Sequence, residues 1–147
     1  MLRAAGVDRA PGSEQKEEVS IIETRLLQLC VFVAAGVAVA AGLGGAIGGA
    51  GFFKLAGDVA ASSHVHYLAG LLFAIGLGFW STIPDIAHKT RRFRLLSAIV
   101  ICGGVFRFIA IFTYGMPQGW ALFGLVNETL VPLVLCLWQT RIAQRAS

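Results

Sequence analysis

Apolar residues in this chain are grouped into four long runs that contain almost no charge. The runs cover residues 26–50, 64–83, 95–114 and 120–139. Each is close to the roughly 20 residues that a helix needs to cross the hydrocarbon layer of a bilayer. Because unpaired backbone groups are very costly in lipid, we expect each run to be α-helical. The pattern therefore predicts an all-α protein, an integral membrane bundle of four helices.

The segments between the runs are short, so consecutive helices should be antiparallel neighbours in one domain over residues 26–147. Residues 1–25 are polar and of mixed charge, and we expect a flexible cytoplasmic N-terminal tail there, with an interfacial helical turn near residues 19–25 as its end. This segment does not fit a secretory signal peptide, which has a short basic start and an apolar region of only about 7–15 residues.

Lysine and arginine residues are concentrated on one side of the predicted bundle, and only Lys54 is predicted on the other side. The positive-inside rule therefore predicts that both termini face the cytoplasm. The residues on the basic side are Arg3, Arg9, Lys16 and Arg25 in the tail, Lys89, Arg91, Arg92 and Arg94 between the second and third runs, and Arg141 and Arg145 near the C-terminus.

The composition supports the membrane class and argues against other classes. Hydrophobic residues make up 56% of the chain and charged residues 14%, whereas about a quarter of an ordinary soluble domain is charged. The net charge of +4 does not indicate nucleic-acid binding, because the basic residues flank apolar runs and form no basic face with aromatic residues. The three cysteines match no metal or redox spacing. We expect no metal and no cofactor.

Small residues recur every four positions along the first run, at Gly36, Ala40, Gly44 and Gly48. Gly45 and Gly49 make a second stripe on this run, and Gly70 begins a similar series on the second run. Such spacing lets membrane helices approach each other closely. We interpret these residues as helix-packing positions inside the bundle. A homodimer interface is the alternative that the same pattern allows.

Two opposite charges interrupt the third and fourth runs. An arginine in mid-membrane costs from about 3 to more than about 10 kcal/mol, so it needs a partner or water. Arg107 lies about 10 Å along the helix from Tyr114, and Glu128 lies about 12 Å from Trp120, at the same end of the bundle. Because these two helices should be antiparallel, the charges lie at similar depth. We predict an Arg107–Glu128 ion pair.

Other polar side chains are predicted near the same end of the bundle. They form a candidate polar cluster that is either a structural clasp between helices or a polar pocket open to the outside. No metal site is predicted, because His64 and His66 diverge on a helix and no carboxylate completes a ligand set. The cluster consists of Arg107, Glu128, His64, His66, Tyr67 and Asn127, and Gly103 and Gly104 would let a partner helix approach Arg107.

Three stretches, SSHVHYLAGLLFAIGL, GGVFRFIAIF and NETLVPLVLCLWQTRIAQR, resemble a bacterial family of small four-helix membrane proteins, domain of unknown function 4345. His66 stands where the family pattern has a basic residue, commonly arginine. The resemblance implies a multi-pass protein of the bacterial cytoplasmic (inner) membrane and supplies no reaction. The positions that match the family pattern are Tyr67, Leu68, Ala69 and Gly70, then Gly103, Gly104 and Arg107, and finally Glu128, Pro132, Trp138, Gln139 and Arg141.

No catalytic residues are predicted. The first hypothesis is a non-enzymatic accessory or structural protein, or a small-ligand binder, whose partners are the lipid bilayer and either a second copy of the chain or another membrane-complex subunit. The second is a small transporter or channel-like subunit that needs Glu128. The third is a membrane-embedded enzyme with Glu128 and a histidine as acid and base and Arg107 as an anion clamp.

Overall fold

The computed structural model describes residues 11–53, 58–116 and 119–146. These residues contain four α-helices and one short 3-10 helix, and no strand occurs among them. Each α-helix is long and apolar enough to cross a membrane, which confirms the predicted all-α fold with four candidate spans. The elements are α1 (Pro11–Phe52), α2 (Val59–Trp80), the 3-10 helix (Ile83–Asp85), α3 (Thr90–Tyr114) and α4 (Trp120–Ala146).

The helices pair as two hairpins. In the first hairpin α1 packs against α2, and in the second α3 packs against α4. The hairpins meet mainly where α1 contacts α4, and over a smaller area where α2 contacts α3. We use "basic end" for the end of the bundle that holds the α2–α3 connection and the C-terminal turns of α4. We use "far end" for the end that holds the α1–α2 and α3–α4 turns.

Helix α1 begins at Pro11, well before the predicted start at residue 26. Residues 11–25 are therefore helical, whereas we predicted a flexible tail with a helical turn only near residues 19–25, and residues 1–10 of that tail lie outside the described residues. Proline at the first helical position and a following stretch rich in glutamate, glutamine and lysine favour a helix here. The C-terminus of α4 also stabilises this helical segment, because Arg145 Nη1 lies 2.5 Å from Glu23 Oε2.

The second helix also begins earlier than predicted, at Val59 rather than at residue 64. Asp58 is its N-cap, and the Asp58 Oδ1 atom accepts a hydrogen bond of 2.8 Å from the Ala61 N–H. Capping of this kind satisfies one of the free N–H groups of the first helical turn. The helix therefore includes the polar residues before the apolar run.

The buried apolar core lies at the basic end. It is formed by Leu27 and Val31 of α1, Ile86 of the α2–α3 connection, Phe93 of α3, and Leu135 and Ile142 of α4. Both hairpins contribute to this cluster, so it is the place where their side chains pack together. Within a bilayer, close van der Waals packing stabilises such a cluster, because lipid tails are as apolar as the side chains themselves.

Two glutamines fix the α2–α3 connection against this core. The Gln28 Nε2 atom donates a hydrogen bond to the Ile83 carbonyl at 2.7 Å. The Gln139 Nε2 atom donates to the Ile86 carbonyl at 2.8 Å and to Thr90 Oγ1 at 2.9 Å. Gln139 is fully buried, so its bonds to the connection are shielded from solvent. The connection is thus held from both hairpins.

The backbones of α1 and α2 come close at two glycines outside the predicted stripes, although Gly45 of the second predicted stripe also lies against α2, where an added Cβ atom would be 2.8 Å from Ala69 Cβ. A Cβ atom built on Gly42 would lie 2.5 Å from the Phe73 backbone nitrogen, and one on Gly76 would lie 3.0 Å from the Ala35 carbonyl oxygen. Only glycine permits backbones to come this near. Gly42 was not on the stripe that the sequence analysis selected.

The predicted packing glycines of α1 have smaller roles. Gly36 faces Trp80, whose ring would lie 3.7 Å from an added Cβ atom. Gly44 and Gly48 lie against Phe52 of their own segment, near the break in α1 at Gly49 (φ 56°, ψ −144°). They therefore make room for a local side chain and do not bring α2 close.

Gly70 and Gly103, two further predicted packing positions, have no atom within 4 Å of an added Cβ atom. They face open space in this chain, so they do not have the packing role inside the bundle that we predicted. The reason is that glycine and alanine are so frequent in these helices that several faces show similar spacing. Spacing alone does not identify the face that packs.

Candidate functional site

Arg107 and Glu128 form an ion pair between α3 and α4. The Arg107 Nη1 atom lies 3.1 Å from Glu128 Oε2. This confirms the predicted pairing, which followed from the similar depth of the two residues on antiparallel helices. The pair lies inside two segments that are each long and apolar enough to span a membrane.

Two glycines make this geometry possible. A Cβ atom on Gly104 would lie 2.5 Å from Thr129 Oγ1, so α3 can approach α4 closely only with glycine there. A Cβ atom on Gly124 would lie 3.0 Å from Arg107 Nη1. The guanidinium group therefore passes over Gly124 to reach Glu128, one helical turn further along α4. Gly104 has the packing role predicted for it, whereas Gly124 serves the arginine directly.

The chain leaves much of this ion pair uncovered. The Arg107 side chain is 46% exposed and the Glu128 side chain is 26% exposed. A guanidinium group has five N–H donors, and among the described residues Glu128 is its single hydrogen-bonding or ionic partner. Several donors of Arg107 are therefore available to a group that is not part of this chain.

Helical spacing indicates which side of the second hairpin carries the pair. Arg107 lies eleven residues, about three helical turns, after Leu96, whose side chain packs against Gly78 of α2. Glu128 lies eleven residues before Gln139, whose side chain bonds to the α2–α3 connection. Residues about three turns apart share a helical face. Both charges thus point toward the side where the first hairpin lies.

The other four residues of the candidate polar cluster are not bonded to this pair. Among the described residues, His64, Tyr67 and Asn127 have no hydrogen-bond partner. The Nδ1 atom of His66 lies 2.8 Å from the carbonyl oxygen of Ser62, one turn earlier in α2. The His66 ring also lies beside Gly49, where an added Cβ atom would be 2.7 Å from His66 Cε1. His66 therefore faces α1, because it projects from a different side of α2 than the one near α3.

The basic end carries polar contacts that the sequence analysis did not identify. The Lys89 Nζ atom donates to the Ser81 carbonyl at 2.8 Å, and Arg92 Nη1 donates to Ser81 Oγ at 3.3 Å. Lys89, which precedes α3, and Arg92 of α3 thus lie at the C-terminus of α2, where positive charge is favourable to a helix. The Asp85 and His88 side chains also contact each other at 2.7 Å. No group of three His, Cys, Asp or Glu side chains in the described ranges could hold a metal ion.

The model of one protein family, described as domain of unknown function (DUF4345), matches residues 26–139. This match includes all four predicted spans, so the chain belongs to that family, and its fold is that of a small four-helix membrane protein. The N-terminal turns of α1 lie outside the match. No curated protein and no solved structure matches the chain. The family description names no activity, so a function has to be argued from the geometry of the chain.

Proposed function

We propose that this member of the DUF4345 family is a non-enzymatic, multi-pass protein of the bacterial cytoplasmic membrane that binds a small amphiphile beside Arg107 and Glu128. Both termini would face the cytoplasm, since the basic end carries nearly all the lysine and arginine of the connections. The ligand would enter the space between the hairpins from the far end.

The observation that supports ligand binding is the uncovered guanidinium group of Arg107. Charged groups inside membrane segments are costly, and they face a protein interior or a water-filled cavity almost without exception. Here the partner carboxylate covers one part of the guanidinium, and 46% of the Arg107 side chain has no protein cover. An uncovered guanidinium group within a membrane segment needs water or a further polar partner. A polar ligand group would supply the missing hydrogen bonds.

The surroundings of the pair favour a ligand with both a polar head and an apolar tail. Arg107 and Glu128 together carry no net charge, so the head group need not be strongly charged. Leu68 and Leu71 lie on the face of α2 that continues from Phe79 and Gly78 toward the far end, and both leucines are exposed. They would contact the apolar part of the ligand while Arg107 binds its head.

A binding role is favoured over an enzymatic one by the placement of the histidines. General acid–base catalysis needs its two groups within hydrogen-bonding reach of one substrate. Glu128 is paired with Arg107, and within residues 58–116 and 119–146 neither His64 nor His66 bonds to it. The acid–base pair of the enzyme hypothesis is thus not assembled around Glu128.

Native mass spectrometry of protein extracted gently from membranes tests this proposal. We expect wild type to retain a bound lipophilic species and the double variant Arg107→Leu/Glu128→Leu to lose it. Removing both charges avoids an unpaired charge in the membrane, so the double variant should remain folded. Arg91→Leu is the matched control, because Arg91 is exposed at the basic end and has no ionic partner among the described residues. Equal retention by wild type and the double variant would leave only a structural role for the pair.

A further inference from the structure

Helix α1 has a second apolar face that the bundle does not cover. The residues of this face are separated by three, four, three and four positions, and each is at least 48% exposed. This is the heptad spacing of coiled coils, in which two apolar positions recur every seven residues. We call this surface the α1 outer face. It consists of Val19, Ile22, Leu26, Leu29 and Val33.

The α1 outer face is distinct from the face that packs in the core. Leu27 and Val31 are almost completely buried against the other helices, and the α1 outer face lies on the opposite side of the same helix. Val19 and Ile22 precede Glu23, which contacts Arg145 in the last turn of α4. These two apolar side chains therefore extend past the end of the neighbouring helix. Exposed apolar side chains on a spanning helix contact either lipid or a partner helix, and the heptad spacing favours a partner helix here.

We propose that a second copy of this chain packs against the α1 outer face, in parallel, about a two-fold axis along the membrane normal. Two copies inserted in the same direction meet through such an axis, and it brings identical faces together. A heptad repeat is suited to this contact, because it keeps the same positions at the seam of two parallel helices. The glycines that bring α1 close to α2, such as Gly42, are already used inside the chain.

The charges beside the α1 outer face fit a second copy. In a parallel pair of helices, Glu18 of one copy would lie beside Glu23 of the other, and two carboxylates alone would repel. Arg145 contacts Glu23 within its own chain, and its guanidinium group is still exposed. It can therefore accept Glu18 of the second copy as a further partner. Among the described residues Glu18 has no partner of its own, so the second copy would supply one.

The same spacing continues into the membrane-spanning part of α1. Counting on by sevens from Val19 and Ile22 reaches Leu43 and Ile47, and both are exposed. Ala40, an intervening heptad position, is exposed and would allow the two copies of α1 to come close there, whereas Gly36, the other intervening position, faces Trp80 of its own chain. The interface would therefore begin in the N-terminal turns, outside the matched family domain, and extend through the membrane.

Disulfide cross-linking in native membranes tests the dimer. Cys30, Cys102 and Cys136 are first replaced by alanine, and one cysteine is then introduced at Ile22 or at Ile21. These neighbours are similarly exposed, at 65% and 55%, but Ile21 lies about 100° around the helix from the α1 outer face. With copper phenanthroline as oxidant, we expect Ile22→Cys to form a disulfide-linked dimer several-fold faster than Ile21→Cys.

A second substitution tests the charges beside the α1 outer face. Adding Arg145→Gln to the Ile22→Cys chain should slow cross-linking several-fold, because Glu18 and Glu23 of the two copies would then repel each other with no guanidinium group beside them. An unchanged rate would contradict the proposed contact of Glu18 with Arg145. Equal rates at the two cysteine positions, no dimer at all, or a disulfide to a different protein would each overturn the proposal. None of these results depends on ligand binding at Arg107.

Discussion

A double-mutant cycle on Arg107 and Glu128 measures how strongly the ion pair joins α3 to α4. The three variants are Arg107→Leu, Glu128→Leu and the double substitution. The Nη1 to Oε2 distance of 3.1 Å places the charge centres near 4 Å, where their attraction is about 4 kcal/mol at an effective dielectric constant of about 20. Solvation by groups outside the chain reduces this value for a partly exposed pair.

The observed exposure sets the expected magnitude between two limits. Breaking a fully buried pair costs about 3–5 kcal/mol, whereas an exposed pair contributes about 0–1 kcal/mol. With the Arg107 side chain 46% exposed and that of Glu128 26% exposed, we expect each single variant to lose roughly 2 kcal/mol of unfolding free energy. The double variant should lose about 1 kcal/mol, because it leaves no unpaired charge in the membrane. The coupling energy is then about 3 kcal/mol.

The assay is equilibrium unfolding in mixed micelles with increasing SDS, followed by tryptophan fluorescence. Asp85 and His88 provide the matched control, because they form an exposed pair of similar length in the α2–α3 connection. Their cycle, with Asp85→Asn and His88→Gln, should give a coupling energy of about 0.5 kcal/mol or less. A coupling energy equally small for Arg107 and Glu128 would refute the reasoning, since it would mean that each charge is solvated independently of the other.

Three further predictions concern the core, helix packing and topology. Gln139→Leu removes the buried donor to the α2–α3 connection and should lower the unfolding free energy by about 1–3 kcal/mol, measured by the same SDS titration. Gly42→Ala should lower it by about 1–3 kcal/mol, because the added methyl group meets the backbone of α2, whereas Gly70→Ala, which faces open space, should not lower it. A cysteine at Asp58 should react with an impermeant maleimide added outside intact cells, and one at Arg91 only after permeabilisation; the reverse pattern would invert the proposed orientation.

The number of helices and the Arg107–Glu128 pair could be predicted because each depends on a strong physical constraint. Spanning a bilayer requires long apolar runs, and a charge in such a run needs a partner at the same depth. Both constraints can be recognised in the linear sequence. The sequence therefore contains enough information to align the two charges once antiparallel helices are assumed.

Other features depend on contacts that leave no periodic signal. Gln28 and Gln139 bond to carbonyl groups of a connection whose backbone conformation is not evident from its residues. The glycine that brings α1 to α2 is Gly42, although Gly44 fits a four-residue repeat better, because small residues occur on nearly every face of this helix. The helical start at Pro11 was missed because polar residues there suggested a loop, whereas their intrinsic helix propensity is high.

The position of the core has a mechanical consequence for the bundle. Packing among Leu27, Ile86 and Phe93 joins the two hairpins at the basic end. The hydrogen bonds of Gln28 and Gln139 to the α2–α3 connection strengthen this contact. Regions with little buried apolar contact open at lower free energy than a packed core. The two hairpins should therefore separate more easily at the far end than at the basic end when the lateral pressure of the lipid changes. Bilayer composition would thereby alter the distance between the hairpins near Arg107.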